Sequence, residues 1–256
     1  MYDLEAFTKA DMCRCAVTLR NMNEKSESIE ETAGRIVHYV YENFVEPRTG
    51  KKACALVRFF KTHSYEYLSE ECQQAAQAIL NGQSIHRATK CLTLLATAGD
   101  EPHWNFRQGS TGHQAIPLID EDFVNRAPMI LQLIEQFGLE VSTVIKTVPT
   151  LITEAPHKAF NVFYVPEALG SPYIPAQKEF VIPYRVQSVL GFGGTLPSGE
   201  LFAVILFSKV FIPLETAERF RWLSAYVRIA VESFGKENVF AKKSRMSAPN
   251  MPKMRQ

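Results

Sequence analysis

Apolar positions along this 256-residue chain change their spacing several times, and each change predicts an element. After Ser28, the residues Ile29, Ala33, Ile36, Val37, Val40, Tyr41 and Phe44 fall three or four apart, the spacing of one helical face. Ser28-Ile29-Glu30-Glu31 has the serine-to-glutamate separation of a capping box, and Pro47 closes the helix. From Ala53 that period vanishes. "ACALVRFFKT" predicts a largely buried strand, Ser69 caps a second helix running to about Leu80, and "KCLTLLATAG" from Lys90 predicts a second strand.

The pattern then breaks at "DEPHWNFRQGSTG", polar and aromatic together, before a short strand in "HQAIPL". A helix opens near Asp120 or at Pro128, a favoured first helical residue, packs Met129, Leu133, Ile134 and Phe137, and stops at Gly138. Residues 139–160 are expected to hold another helical turn or two. Five prolines fall between 166 and 197, four of them inside "VPEALGSPYIPAQKEFVIPYR", which predicts an extended loop leading into a strand. A final helix follows Pro213 and Thr216, with Phe220, Leu223, Val227, Ala230, Val231 and Phe234 on its apolar stripe. Residues 1–25 carry no sustained period and suggest an arm or a short helix.

The glycine-rich stretch "SVLGFGGTLPSGELFAVILFSKV", residues 188–210, allows two readings. A phosphate cradle needs a helix directly after the glycines, because helix N-terminal amides hold the anion. Here Leu196-Pro197-Ser198-Gly199-Glu200 supplies turn chemistry instead, and Leu201–Val210 is apolar except for Ser208 and Lys209. That favours a β-hairpin, with Gly191 to Gly194 marking a bulge or a place where something approaches the backbone closely. Helices at both ends around a central antiparallel sheet place the chain in the α+β class.

Composition narrows the partners rather than the fold. Hydrophobic residues at 46%, charged residues at 21% and a formal net charge of +1 are ordinary for a globular protein, and make no whole-surface case for nucleic acid or membrane. No apolar run approaches a membrane span, and the N-terminus lacks the ordered regions of a signal peptide, so the cytoplasm is the expected location. Five cysteines, at 13, 15, 54, 72 and 91, are an odd number, and a single C-x-C pair is a weak zinc signal; free thiols are expected. The tail from 236 to 256 is basic toward its end, where "AKKSRMSAPNMPKMRQ" has five basic residues and no acid. A solvated, disordered tail is the plain expectation and a nucleic-acid contact the alternative.

The helix at 28–44, the strand from 53, and the closing "VQSVLGFGGTLPSGELFAVILFSKVFIPLETAERFRWLSAYVRIAVES" resemble the beginning and end of a GAF domain. "CLTLLATAGDEPHWNFRQGSTGHQAIPL" and "FYVPEALGSPYIPAQKEFVIPYR" are similar to the GAF-like sensory region of some bacterial hybrid histidine kinases and PAS-containing signalling proteins. The resemblance covers 26–235 and implies a GAF-like central antiparallel sheet of about six strands flanked by helices, with an insert near 119–175. It also implies small-molecule sensing or protein contact as the task. No kinase or PAS segment follows residue 235 in this sequence. The signal is therefore expected to leave through a homodimer, through a signalling kinase or other protein in trans, or through a longer protein of which this is a piece.

Candidate ligand-binding residues cluster in the irregular loops, where a rigid sheet presents its binding groups. Trp104, Phe106, Arg107 and His113 combine an aromatic wall, a cation and a titratable donor, and Tyr184 and Arg185 at the start of the hairpin are expected to face the same cavity. Such a set suits a planar or anionic metabolite of unknown identity; the plainer alternative has Trp104 plugging the core and Arg107 solvated. Tyr164 and Tyr173 are weaker candidates. His103 or His113 as a haem ligand and Cys91 as a bilin attachment point are further alternatives. From another class comes a GAF-fold thiol enzyme that reduces free methionine sulfoxide, for which Cys54, Cys72 and Cys91 would supply the thiols. Against catalysis stand the strand setting of Cys54 and Cys91 and the absence of G-x-S-x-G, Walker and H-E-x-x-H motifs.

Overall fold

The computed structural model describes residues 1–146, 160–234 and 238–241. Its sheet has six strands: β3 (Cys54–Ser64), β4 (Lys90–Gly99), β5 (Ala115–Pro117), β6 (Phe160–Val165), β7 (Ser188–Thr195) and β8 (Leu201–Ser208). They run in the order β5-β4-β3-β8-β7-β6, every neighbouring pair antiparallel. Two short strands, β1 (Tyr2–Asp3) and β2 (Phe44–Val45), pair in parallel beside it.

Strand β8 is apolar from Leu201 to Phe207 because both its faces are covered. Phe202, Val204 and Leu206 enter one layer; Leu201, Ala203, Ile205 and Phe207 enter the other. The first layer is closed by α1 (Lys9–Arg20), α2 (Ile29–Asn43) and α7 (Leu214–Glu232). There Phe44 and Phe192 stand 5.5 and 5.3 Å from the Phe220 ring. The second layer is closed by α4 (Glu121–Asn125), α5 (Pro128–Gln136) and α6 (Val141–Ile145), through Val124, Leu133, Ile134 and Val144. Helix α3 (Glu70–Ile79) buries Cys72 and Ala76 against Cys91 and Ala115 in a smaller cluster.

Several expectations change in detail. The reciprocal capping box belongs to α1: the Asp11 amide donates to Thr8 Oγ1 at 3.1 Å and the Thr8 amide to Asp11 Oδ2 at 3.0 Å. At α2, Ser28 Oγ does accept the Glu31 amide at 3.1 Å, but the Glu31 carboxylate accepts from Glu27 rather than from Ser28. Helix α1 escapes the periodicity test because it buries only Cys15, Ala16 and Leu19. Asp120 and Pro128 each open a helix, and Gly138 ends α5 at φ +72°. In the proline-rich segment, Gln177–Val181 forms a π-helical turn where extended chain is expected. Gln177 stitches it to the preceding loop through the Ala168 and Ile174 carbonyls at 2.9 and 2.6 Å.

The glycines of β7 mark close approach and no bulge, since both ladders run through them without a register shift. A β-carbon on Gly193 would fall 2.1 Å from the Phe202 carbonyl oxygen and 3.0 Å from the Phe137 ring. Much of residues 139–160, and the basic stretch from 242 to 256, lie outside the described residues.

Candidate functional site

After β4 the chain makes two 3-10 turns, Pro102–Asn105 and Arg107–Gly109. Asn105 pins them to the strand end: its Oδ1 accepts the Gly99 amide at 3.0 Å, and its Nδ2 donates to the Gly99 and Glu101 carbonyls at 3.2 and 3.0 Å. Thr97 Oγ1 donates to the Trp104 carbonyl at 2.8 Å. These bonds turn the Trp104 ring onto Tyr184, 4.5 Å between centroids, and onto Phe180 at 5.4 Å. The Tyr184 hydroxyl donates to Glu101 at 3.1 Å. His103 stands edge-on to Trp104 at 5.6 Å.

The other four sequence candidates diverge from this pair. Phe106 is half exposed. Arg107 reaches the opposite way, donating to the Leu94 carbonyl at 3.3 Å and pairing with Glu30 of α2 at 2.7 Å. His113 rests its Nδ1 3.1 Å from the Thr111 carbonyl oxygen. Arg185, at φ +54°, lines a separate groove of about 590 Å³ with Leu169, Ile182 and Phe211. Of the six, the fold brings Trp104 and Tyr184 together in direct contact, and their rings pack against each other and Phe180. Tyr164 is engaged elsewhere, its hydroxyl donating to the Ile212 carbonyl, and Tyr173 is exposed.

Sequence reasoning passed over the polar residues of β3. Arg58 donates to Ser110 Oγ at 3.3 Å, and its buried Nε has no hydrogen-bond partner among the described residues. Burial pushes the guanidinium pKa down to about 10. Burial first, then the Arg58 charge, holds His113 below the ordinary imidazole value, although the residue as a whole is exposed.

A second group lies further along β3. Lys61 and His63, two positions apart and so on one face of the strand, border a cavity of about 290 Å³. The N-terminal end of α2, the C-terminal end of α7 and the hairpin turn at 196–200 enclose it, contributing Ile29, Val231, Leu196 and Ser198. Lys61 and His63 are 4% and 5% exposed, and the neighbouring Lys90 and Glu200 are equally buried. Lys90 Nζ is 3.9 Å from Glu200, whose carboxylate also accepts the Ser198 hydroxyl. Lys61 Nζ is 3.4 Å from both the Thr62 carbonyl oxygen and His63 Nδ1. Burial, then the charges of Lys61 and Lys90, holds His63 well below the usual imidazole range, and its buried Nε2 has no hydrogen-bond partner among the described residues. The signal for this site was legible: charged and imidazole side chains inside an otherwise buried strand are exceptional.

The four buried thiols are poorly placed for nucleophilic work. Burial pushes Cys15, Cys54 and Cys91 up to about 12 and raises Cys72; only the thiolate is nucleophilic. Among the described residues no group of three or more His, Cys, Asp and Glu side chains could hold a metal ion, and no helix is long and apolar enough to cross a membrane. The chain matches no family model, and no curated protein matches it.

Proposed function

We propose that this chain is a GAF-like sensory module that takes up a small molecule and relays its occupancy through the packing of its terminal helices. The observation that carries the reading is the 290 Å³ cavity, because sheet, α2 and α7 all border it. A ligand there touches Ile29 in the first turn of α2 and Val231 in the last turn of α7, so filling it bears on how both helices sit on the sheet. The six-stranded antiparallel sheet and the β7–β8 hairpin leading into α7 support the GAF resemblance. The burial of four of the five cysteines favours binding over thiol chemistry.

Relay requires a receiving surface. Helix α7 leaves Trp222 and Ile229 exposed two turns apart, with Tyr226 half-buried between them. This stripe is the proposed contact for a second copy of the chain or for a signalling kinase in trans. The uptake step is tested by native mass spectrometry of protein purified from cells. Wild-type protein is expected to carry a small bound mass that denaturation releases. Ile29→Trp, which fills the cavity, is expected to fold and to lose that mass; retention of the mass by a folded Ile29→Trp protein would place the ligand elsewhere.

A further inference from the structure

The donor set in the cavity specifies more than the presence of a ligand. Lys61 Nζ lies 3.4 Å from His63 Nδ1. An ammonium group has only donors, so Nδ1 accepts and the ring proton resides on Nε2. That N–H is buried, and no described atom accepts from it. A buried donor without an acceptor is rare in folded proteins, which points to a partner outside the chain.

The surroundings define that partner's chemistry. Lys61 and Lys90 place positive charge beside the His63 ring, while the carboxylates of Glu200, which pairs with Lys90 at 3.9 Å, and of Glu232 also border the cavity. Ser64 and Tyr67 add further hydroxyl-bearing side chains to the lining, whereas the Ser198 hydroxyl already serves Glu200. Ile29, Leu196, Val231 and Val239 supply the apolar remainder. At about 290 Å³ the space lies at the lower end of small-molecule pockets, which run from about 300 to 1,000 Å³.

We infer that the cavity receives a small organic anion, a carboxylate or phosphate monoester, whose oxygen accepts the His63 Nε2 proton in a hydrogen bond while its apolar body lies against Ile29, Leu196 and Val231. The inference rests on reading the cavity as the ligand chamber. An anion is preferred to a neutral carbonyl because a charge-assisted hydrogen bond in a low-dielectric site is about twice as strong as a neutral one.

Calorimetric titration of the full chain with benzoate, phenyl phosphate and benzamide tests it, since benzoate and benzamide are near in shape and differ in charge. At least one anion is expected to bind at least tenfold more tightly than benzamide, and to shift the His63 Nε2–H resonance in a nitrogen-proton NMR spectrum. Which anion binds better distinguishes a carboxylate from a phosphate ligand. His63→Phe should abolish the preference. His63→Gln, whose amide restores a donor, should recover part of it and guards against a mere folding defect. Equal or tighter binding of benzamide would overturn the anion assignment while leaving the chamber intact. Binding by none of the three at millimolar concentration would overturn it as well, and the chamber itself is judged separately by the Ile29→Trp mass measurement.

Discussion

Burial governs the chemistry of single side chains here more than neighbouring charge does. Cys72 shows the balance: Glu70 and Glu71 beside it in sequence suggest a raised pKa, and the thiol is raised, with burial the first cause. The Ser69 hydroxyl and Arg107 oppose that shift, while Glu71 and Glu30 add to it. Cys13 alone among the five cysteines is exposed. A thiol-specific disulfide reagent should therefore titrate one thiol quickly in the native protein and none in Cys13→Ser; a second fast equivalent would contradict the buried assignments. His63 makes the complementary case for acid. Its folded pKa lies below the ordinary 6.5, so the unfolded chain binds the proton first, and stability present above that value is lost as pH falls toward the lower folded pKa. Denaturant unfolding at pH 7 and 5 should show this residue costing at most about 1.4 kcal/mol per pH unit in that window. His63→Gln should flatten the acid slope, and an unchanged slope would assign the effect to other groups.

At the scale of elements, two glycines with opposite surroundings give opposite expectations. Gly34 lies inside α2, and a β-carbon there meets nothing within 4 Å. Gly34→Ala should stabilise by about 0.5–1 kcal/mol through helix propensity and unfolded-state entropy. Gly193→Ala should destabilise by about 1–3 kcal/mol or more, because the Phe202 carbonyl cannot withdraw without breaking the β7–β8 ladder. Thermal or denaturant unfolding measures both. The Arg107–Glu30 pair belongs to this scale too, since it ties the loop after β4 to the first turn of α2. Arg107→Met should cost about 1–3 kcal/mol, and a double-mutant cycle with Glu30→Gln should show coupling. Additive effects would reduce the pair to two independent surface groups.

For the whole molecule, the proposed relay needs an association that follows α7. Light scattering at tens of micromolar is expected to detect a dimer that Trp222→Glu abolishes while leaving the fold intact; monomer throughout would confine the relay to a partner in trans. The sequence by itself determined the elements with strong periods and their punctuation. It set α2, β3, β4, the β7–β8 hairpin and α7 within a few residues, because alternation, helical spacing, caps and turn residues act locally. It also determined the α+β class, since a long apolar β8 beside two amphipathic helices leaves few other ways to bury those faces. Helix α1 stayed hidden because a helix that buries three residues leaves almost no period. The strand order, and the companions of each polar side chain, were decided by tertiary structure alone. Trp104 and Tyr184 meet across 80 residues of sequence, whereas Arg107, only three residues from Trp104, turns to a helix that precedes it by more than sixty. Lys61 and His63 lie in a strand whose local pattern is plain, yet their meaning depends on Glu200, Ile29 and Val231, which long-range pairing and layer packing bring to the same cavity. Local spacing specifies which face a side chain takes; only the closed fold specifies what stands opposite it.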